Sequence, residues 1–136
     1  MSKPTVGCAT MVEKDGKLLL GVRGKEPGYG SLVIPGGGVE LFEDFAQTAE
    51  REIKEETGIE ITNLRQFGCY QIITPERNYH RIIIFWQASY KSGKLLPSSD
   101  LLSADFYTKM QIAEAVRDGK IEGAALEALR DAGWIS

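Results

Sequence analysis

Three glutamates, Glu52, Glu55 and Glu56, stand at spacing i, i+3, i+4. On an α-helix they fall within a sector of roughly 100°. Like charges that close repel one another, and a hard divalent cation held between them removes that cost. Mg²⁺ and Mn²⁺ take carboxylate oxygens and retain several waters. Glu43 lies just ahead, and Arg51 faces near the three glutamates. A guanidinium paired with Glu43 would orient a metal-binding carboxylate. The run Gly36-Gly37-Gly38 reads as a loop whose backbone comes close to an ion or a phosphate. The same acidic spacing suits a solvated helix face, and on spacing alone both readings stay open. A calcium loop fits poorly, because the acids sit on a helix and not at alternate positions of a loop.

The full string from Gly37 to Ile59 is GGVELFEDFAQTAEREIKEETGI. It resembles the Nudix box, in which a glycine is followed after five residues by Glu and after seven more by Arg-Glu-aliphatic-x-Glu-Glu-x-Gly-aliphatic. Gly37, Glu43, Arg51, Glu52, Ile53, Glu55, Glu56, Gly58 and Ile59 each occupy their family position, and Ile34-Pro35-Gly36 resembles the lead-in. One departure is Phe42, where many family members have glycine before the box glutamate.

The resemblance implies hydrolysis of a nucleoside diphosphate linked to a second moiety, by attack of water on phosphorus. It implies that Glu52, Glu55 and Glu56 bind Mg²⁺ or Mn²⁺, with the Gly36 carbonyl as a further ligand. Glu52, or a glutamate outside the box, would be the general base, and Arg51 with Glu43 the support. A fourth carboxylate often precedes the last strand; Asp100 in LLPSSDLL is the candidate, ahead of Asp105. Arg23 resembles the position from which family members reach phosphate, the alternative being a surface ion pair. Arg77 and Tyr79, with His80 and Arg81, cluster at an expected turn and suit either base and ribose contacts or an ordinary turn. Nucleoside triphosphates cleaved to monophosphate and pyrophosphate are the first expectation for substrate, and ADP-ribose or nucleoside diphosphate sugars the second. Dinucleoside polyphosphates and capped RNA ends remain open. A non-catalytic nucleotide sensor is the rival class, and the presence of all four box glutamates speaks against it. A homodimer is also open.

The elements that must position these groups follow from pattern. The chain has 136 residues, 43% hydrophobic and 26% charged, which is enough for one core and one domain over 1–136. Residues 40–60 hold eight acids against two bases, while the rest holds 14 bases against 11 acids. The net charge of −3 argues against a broadly basic binder of long nucleic acid. Ile82 to Trp86, the longest strongly apolar run, is far shorter than the roughly 20 residues that cross a bilayer. No secretory leader is visible, and two scattered cysteines, Cys8 and Cys69, point to a reducing cytoplasm.

Strands are expected at 5–12, at Lys17–Arg23 after an Asp15-Gly16 turn, at Leu32–Ile34, over 59–74 with a break near Gly68, at 80–90 and at 104–107. Asp44 to Thr57 reads as a helix with Phe45, Ala49, Ile53 and, less strictly, Ala46 on its apolar side, capped by Asp44 with Gln47 and stopped by Gly58. Two more helices end the chain, one capped by Thr108 with Gln111 and one over 122–132. This order predicts an α/β (α+β) fold, an α/β/α sandwich with a mixed central sheet, which is also the fold the resemblance implies.

Overall fold

The structure is a computed structural model that describes residues 3–98 and 100–136. Seven strands form one sheet: β1 (Thr5–Lys14), β2 (Lys17–Arg23), β3 (Leu32–Val33), β4 (Gly36–Gly38), β5 (Glu60–Thr74), β6 (Tyr79–Ser92) and β7 (Leu101–Tyr107). Three helices accompany them: α1 (Phe45–Thr57), α2 (Lys109–Arg117) and α3 (Gly123–Asp131). The main strand order is β3-β2-β1-β6-β5, with β4 on β1 and β7 on β2. β1 and β6 run parallel and the other pairs antiparallel, so the sheet is mixed as expected.

Alternation along the strands builds a core on each face. Cys8, Val12, Leu19, Ile84, Trp86 and Ala88 turn toward α1, where Ala49 and Ile53 meet them. Ala9, Met11, Leu18, Leu20 and Phe85 turn the other way, onto Ile112 of α2, Ala128 and Leu129 of α3, and Trp134. Among the described residues no helix is long and apolar enough to cross a membrane.

α1 begins and ends where its caps dictate. The Asp44 carboxylate accepts from the Gln47 N–H at 2.8 Å, and the Gln47 side chain accepts from the Asp44 N–H at 2.9 Å. Gly58, at φ 83°, takes the left-handed position that closes a helix. One expectation about its apolar side fails. Phe45, the first residue of α1, is 41% exposed, while Thr48, Glu56 and Thr57 are buried in addition to Ala49 and Ile53.

The glycine run also departs from expectation. Gly36–Gly38 is not a loop but the strand β4, in register with β1 through Gly7↔Gly38, Cys8↔Gly37 and Ala9↔Gly36. Glycine has little strand propensity, so pairing with β1 imposes the extended form. β1 gives one edge to β6 and divides the other between β4, at Gly7–Ala9, and β2, at Glu13–Lys14. That division brings the glycine backbone against α1. A Cβ at Gly36 would overlap the Cys8 carbonyl oxygen and the Ala9 backbone, so close approach is the reason for glycine here.

Candidate active site

Arg51 organises the acidic cluster. Its Nε donates to Glu43 Oε2 at 2.6 Å and its Nη2 to Glu43 Oε1 at 3.0 Å, a bidentate fork. Nη2 also donates to the Gly38 carbonyl at 3.0 Å. Nη1 donates to Glu52 Oε2 at 2.9 Å and to Glu55 Oε1 at 3.1 Å. All five guanidinium N–H groups therefore have an acceptor. Glu43 Oε1 additionally accepts from the Thr48 hydroxyl at 2.6 Å and the Glu40 N–H at 3.1 Å. These donors hold the Glu43 carboxyl down at a pKa of about 2, Arg51 first and Thr48 next, and the carboxylates hold Arg51 above its ordinary range.

The glutamates on α1 have different surroundings. Glu56 is only 6% exposed. Burial pushes its carboxyl up to about 7; the Gly36 N–H, donating to Oε1 at 3.2 Å, partly offsets this, while Glu52 and Asp100 add to it and Arg23 opposes it. Burial also raises Glu52, against the pull of Arg51. Glu55 is the most exposed of the three.

Glycine at 37 is explained by Glu52. A Cβ there would run into the Glu52 carboxylate. Gly37→Ala should leave the melting temperature within a few degrees, since a flexible side chain can move, but should displace Glu52 and cost most of the turnover. Gly36→Ala meets backbone instead, and overpacking of about 1–3 kcal/mol or more should lower the melting temperature clearly. Thermal melts beside initial rates for the two variants check this contrast.

Among the described residues no three His, Cys, Asp or Glu side chains converge on one point as a ready ligand cage. The hydrogen bonds give the reason: Arg51 Nη1 takes up Glu52 and Glu55, and Glu56 turns to the Gly36 N–H. The donor set nevertheless suits a divalent cation. Glu56 is a buried carboxylate with no basic group within ion-pair distance among the described residues, and the oxygens beside it are of the hard type that Mg²⁺ and Mn²⁺ take.

The other residues singled out by sequence fall into two groups. Asp100 directly precedes β7, is felt by Glu56 and pairs with Lys25 at 3.0 Å. Arg23 ends β2, is felt by Glu56 from the opposite sign, and donates through Nε to the Pro27 carbonyl at 2.6 Å. These two stand beside the cluster. Arg77 ends a short helical turn, Pro75–Arg77, and Tyr79 opens β6, both at the tip of the β5–β6 hairpin. No hydrogen bond or ion pair among the described residues ties them to the glutamates.

Sequence reasoning passed over Thr48, whose hydroxyl fixes Glu43, and Ser98, whose hydroxyl donates to the Glu55 carbonyl at 3.0 Å. Thr48 stands five residues after Glu43, a separation with meaning only once the turn before α1 is known. An open cleft of about 640 Å³ adjoins the cluster, lined among others by Gly38, Glu43, Phe42, Phe45 and Arg81.

A NUDIX domain family model matches residues 1–127. The chain belongs to the Nudix family. It is 34% identical over 99 residues to a Vibrio vulnificus protein named NAD-capped RNA hydrolase NudC, covering 72% of this chain and 36% of that one. It is 34% identical over 104 residues to an ADP-ribose pyrophosphatase of Methanocaldococcus jannaschii, covering 76% of this chain and 62% of the relative. The match thus spans less than two thirds of either relative. The fold is similar to that of a MutT NUDIX hydrolase from Burkholderia pseudomallei, with a TM-score of 0.84 at 24% identity over 94% of this chain and 97% of that one.

Proposed function

We propose that this chain is a divalent-cation-dependent pyrophosphohydrolase that cleaves a phosphoric anhydride in a small nucleotide. The observation that carries this reading is Glu56: a buried carboxylate of α1, beside Glu52 and against the glycine strand β4, with no basic group within ion-pair distance among the described residues. Glu52, Glu55 and Glu56 would hold the cation, with the Gly36 carbonyl and Asp100 as further oxygen donors. Bound there, Mg²⁺ or Mn²⁺ supplies charge neutralisation for the pyrophosphate and acidifies water.

The chain's own groups do the rest. Arg51 and Glu43 fix the turn before α1 and aim Glu52. Glu52, raised by burial, is suited to accept a proton from the attacking water. Arg23 lies close enough to Glu56 to affect its titration and can release the Pro27 carbonyl to grip phosphate. Arg23→Ala should raise KM about tenfold for a phosphate-rich substrate with the fold intact. Unchanged kinetics would restrict Arg23 to holding its own loop.

For the substrate, sequence reasoning ranks nucleoside triphosphates above ADP-ribose. The names of the two relatives favour the opposite order, since NAD and ADP-ribose both carry adenosine diphosphate esterified to a second ribose. We therefore place an adenosine diphosphate linked to a second group first, and triphosphates second. A panel of ADP-ribose, NAD, nucleoside diphosphate sugars and triphosphates, with Mg²⁺ or Mn²⁺ and chromatographic identification of products, tests the order. AMP and ribose 5-phosphate from ADP-ribose are the expected products. Hydrolysis of no member of the panel would sink the catalytic reading and favour a nucleotide sensor.

A further inference from the structure

The turn ahead of α1 carries an oddity that the carboxylate chemistry does not use. The Glu43 N–H donates to the Glu40 carbonyl at 3.0 Å, closing a four-residue turn with Leu41 and Phe42 at its corner. Phe42 stands third in the turn at φ 71°, where a type II turn calls for glycine. An L residue with a bulky ring rarely adopts that conformation. The ring gains nothing from the core in exchange, since Phe42 is 96% exposed.

The turn is nevertheless held firmly. The Glu40 N–H and the Thr48 hydroxyl both donate to Glu43 Oε1, and Arg51 grips both Glu43 oxygens. A strained backbone persists where its surroundings over-determine it, and here they present an aromatic ring to solvent at a fixed place.

That place is the rim of the open cleft. Its volume of about 640 Å³ lies within the range of roughly 300–1,000 Å³ usual for small-molecule sites. Phe42, Phe45 and Val39 give it an apolar side. Arg81 gives it a cation: Nη1 donates to the Thr5 hydroxyl at 2.9 Å, and among the described residues no carboxylate stands within ion-pair distance of it. Gly38 and Glu43 line the cleft and also belong to the Arg51 network. A ring, a guanidinium and a neighbouring anhydride-cleaving site match the three parts of a nucleotide.

We infer that Phe42 is a specificity-determining residue whose ring stacks on the base of a nucleotide, with Arg81 drawing the attached phosphate toward the glutamates. This rests on the reading above that the ligand is a nucleotide, but it does not require turnover.

The test is the binding of AMP and of ribose 5-phosphate, in which an anomeric hydroxyl replaces the base, to the whole protein with Mg²⁺ present. Neither contains an anhydride, so neither is consumed. NMR or calorimetric titration should show wild type preferring AMP by about tenfold or more, the usual worth of one base–aromatic stack. Phe42→Gly should lose most of that preference while its melting temperature rises by a few degrees, because glycine relieves the turn. Phe42→Trp should keep the preference. An unchanged preference in Phe42→Gly, or no binding of AMP by wild type, overturns the inference. A protein that prefers AMP through Phe42 yet hydrolyses nothing in the substrate panel would sink the catalytic reading and leave this one standing. Active protein with an unaltered preference in Phe42→Gly would do the reverse.

Discussion

Glu56→Gln is expected to lower turnover by about three orders of magnitude, and at the same time to make the metal-free protein more stable at alkaline pH. The first effect follows from charge. A carboxamide keeps an oxygen for the Gly36 N–H, which lies 3.2 Å from Glu56 Oε1, but it gives a divalent cation no negative charge, and metal assistance is worth several kcal/mol of barrier. The second effect follows from burial. The Glu56 carboxyl sits at about 7, raised from 4.5 chiefly by desolvation, so the folded state prefers its neutral form. Its stabilising contribution is complete below pH 4.5 and is lost as pH rises through 7. Linkage puts the loss on the order of 3 kcal/mol across that window. In EDTA, wild type should therefore lose melting temperature between pH 5 and pH 8 more steeply than Glu56→Gln. Mg²⁺ should restore wild type more at pH 8 than at pH 5, because it favours the ionised form. Parallel pH slopes for the two proteins in EDTA would mean that Glu56 is hydrated and not poised for a cation.

The difference between these two effects also marks what the sequence shows and what it hides. α1 was legible from end to end: Asp44, Gln47 and Gly58 are local signals, and local hydrogen bonds obey them. The type I′-like turn at Asp15-Gly16, with φ of 52° and 77°, was legible for the same reason. The spacing of Glu52, Glu55 and Glu56 placed them on one side of a helix, and the order of elements pointed to a mixed sheet covered on both faces.

What spacing did not reveal depends on partners distant in sequence. β4 exists because β1 lies beside it, so three glycines that look like a loop become a strand. Phe45 looked apolar and inward at helical period, yet as the first residue of α1 it stays 41% exposed and lines the open cleft. Spacing left open whether the three glutamates face solvent or a cation and did not tell them apart, but Glu56 is only 6% exposed and its Oε1 accepts from the Gly36 N–H of β4 at 3.2 Å. The Nudix resemblance assigned a shared role to the three glutamates; the packing shows that their environments are not shared.

Arg51→Met should have its largest effect where no metal is present. The wild-type guanidinium faces Glu43, Glu52 and Glu55 at once and engages the Gly38 carbonyl as well. Methionine fills a similar volume but leaves three carboxylates without their counter-charge, and breaking a half-buried pair is costly because the unpaired anions remain. In EDTA at pH 8 the melting temperature should fall by about 10 °C or more, a large shift for a domain of this size. Saturating Mg²⁺ should recover part of that loss, since a divalent cation can replace the charge on Glu52 and Glu55 but cannot supply the fork that holds Glu43. Arg51→Lys should fall between, because three donors on a flexible stem cannot satisfy acceptors arranged for five. Turnover should stay low in both variants even when Mg²⁺ restores stability, since the turn from Glu40 to Glu43 loses its anchor and Glu52 loses its aim. Melting curves with and without Mg²⁺, set beside kcat for the two variants, separate these roles. Full recovery of both stability and rate by Mg²⁺ would show that Arg51 acts through charge alone, and that the bidentate geometry contributes nothing.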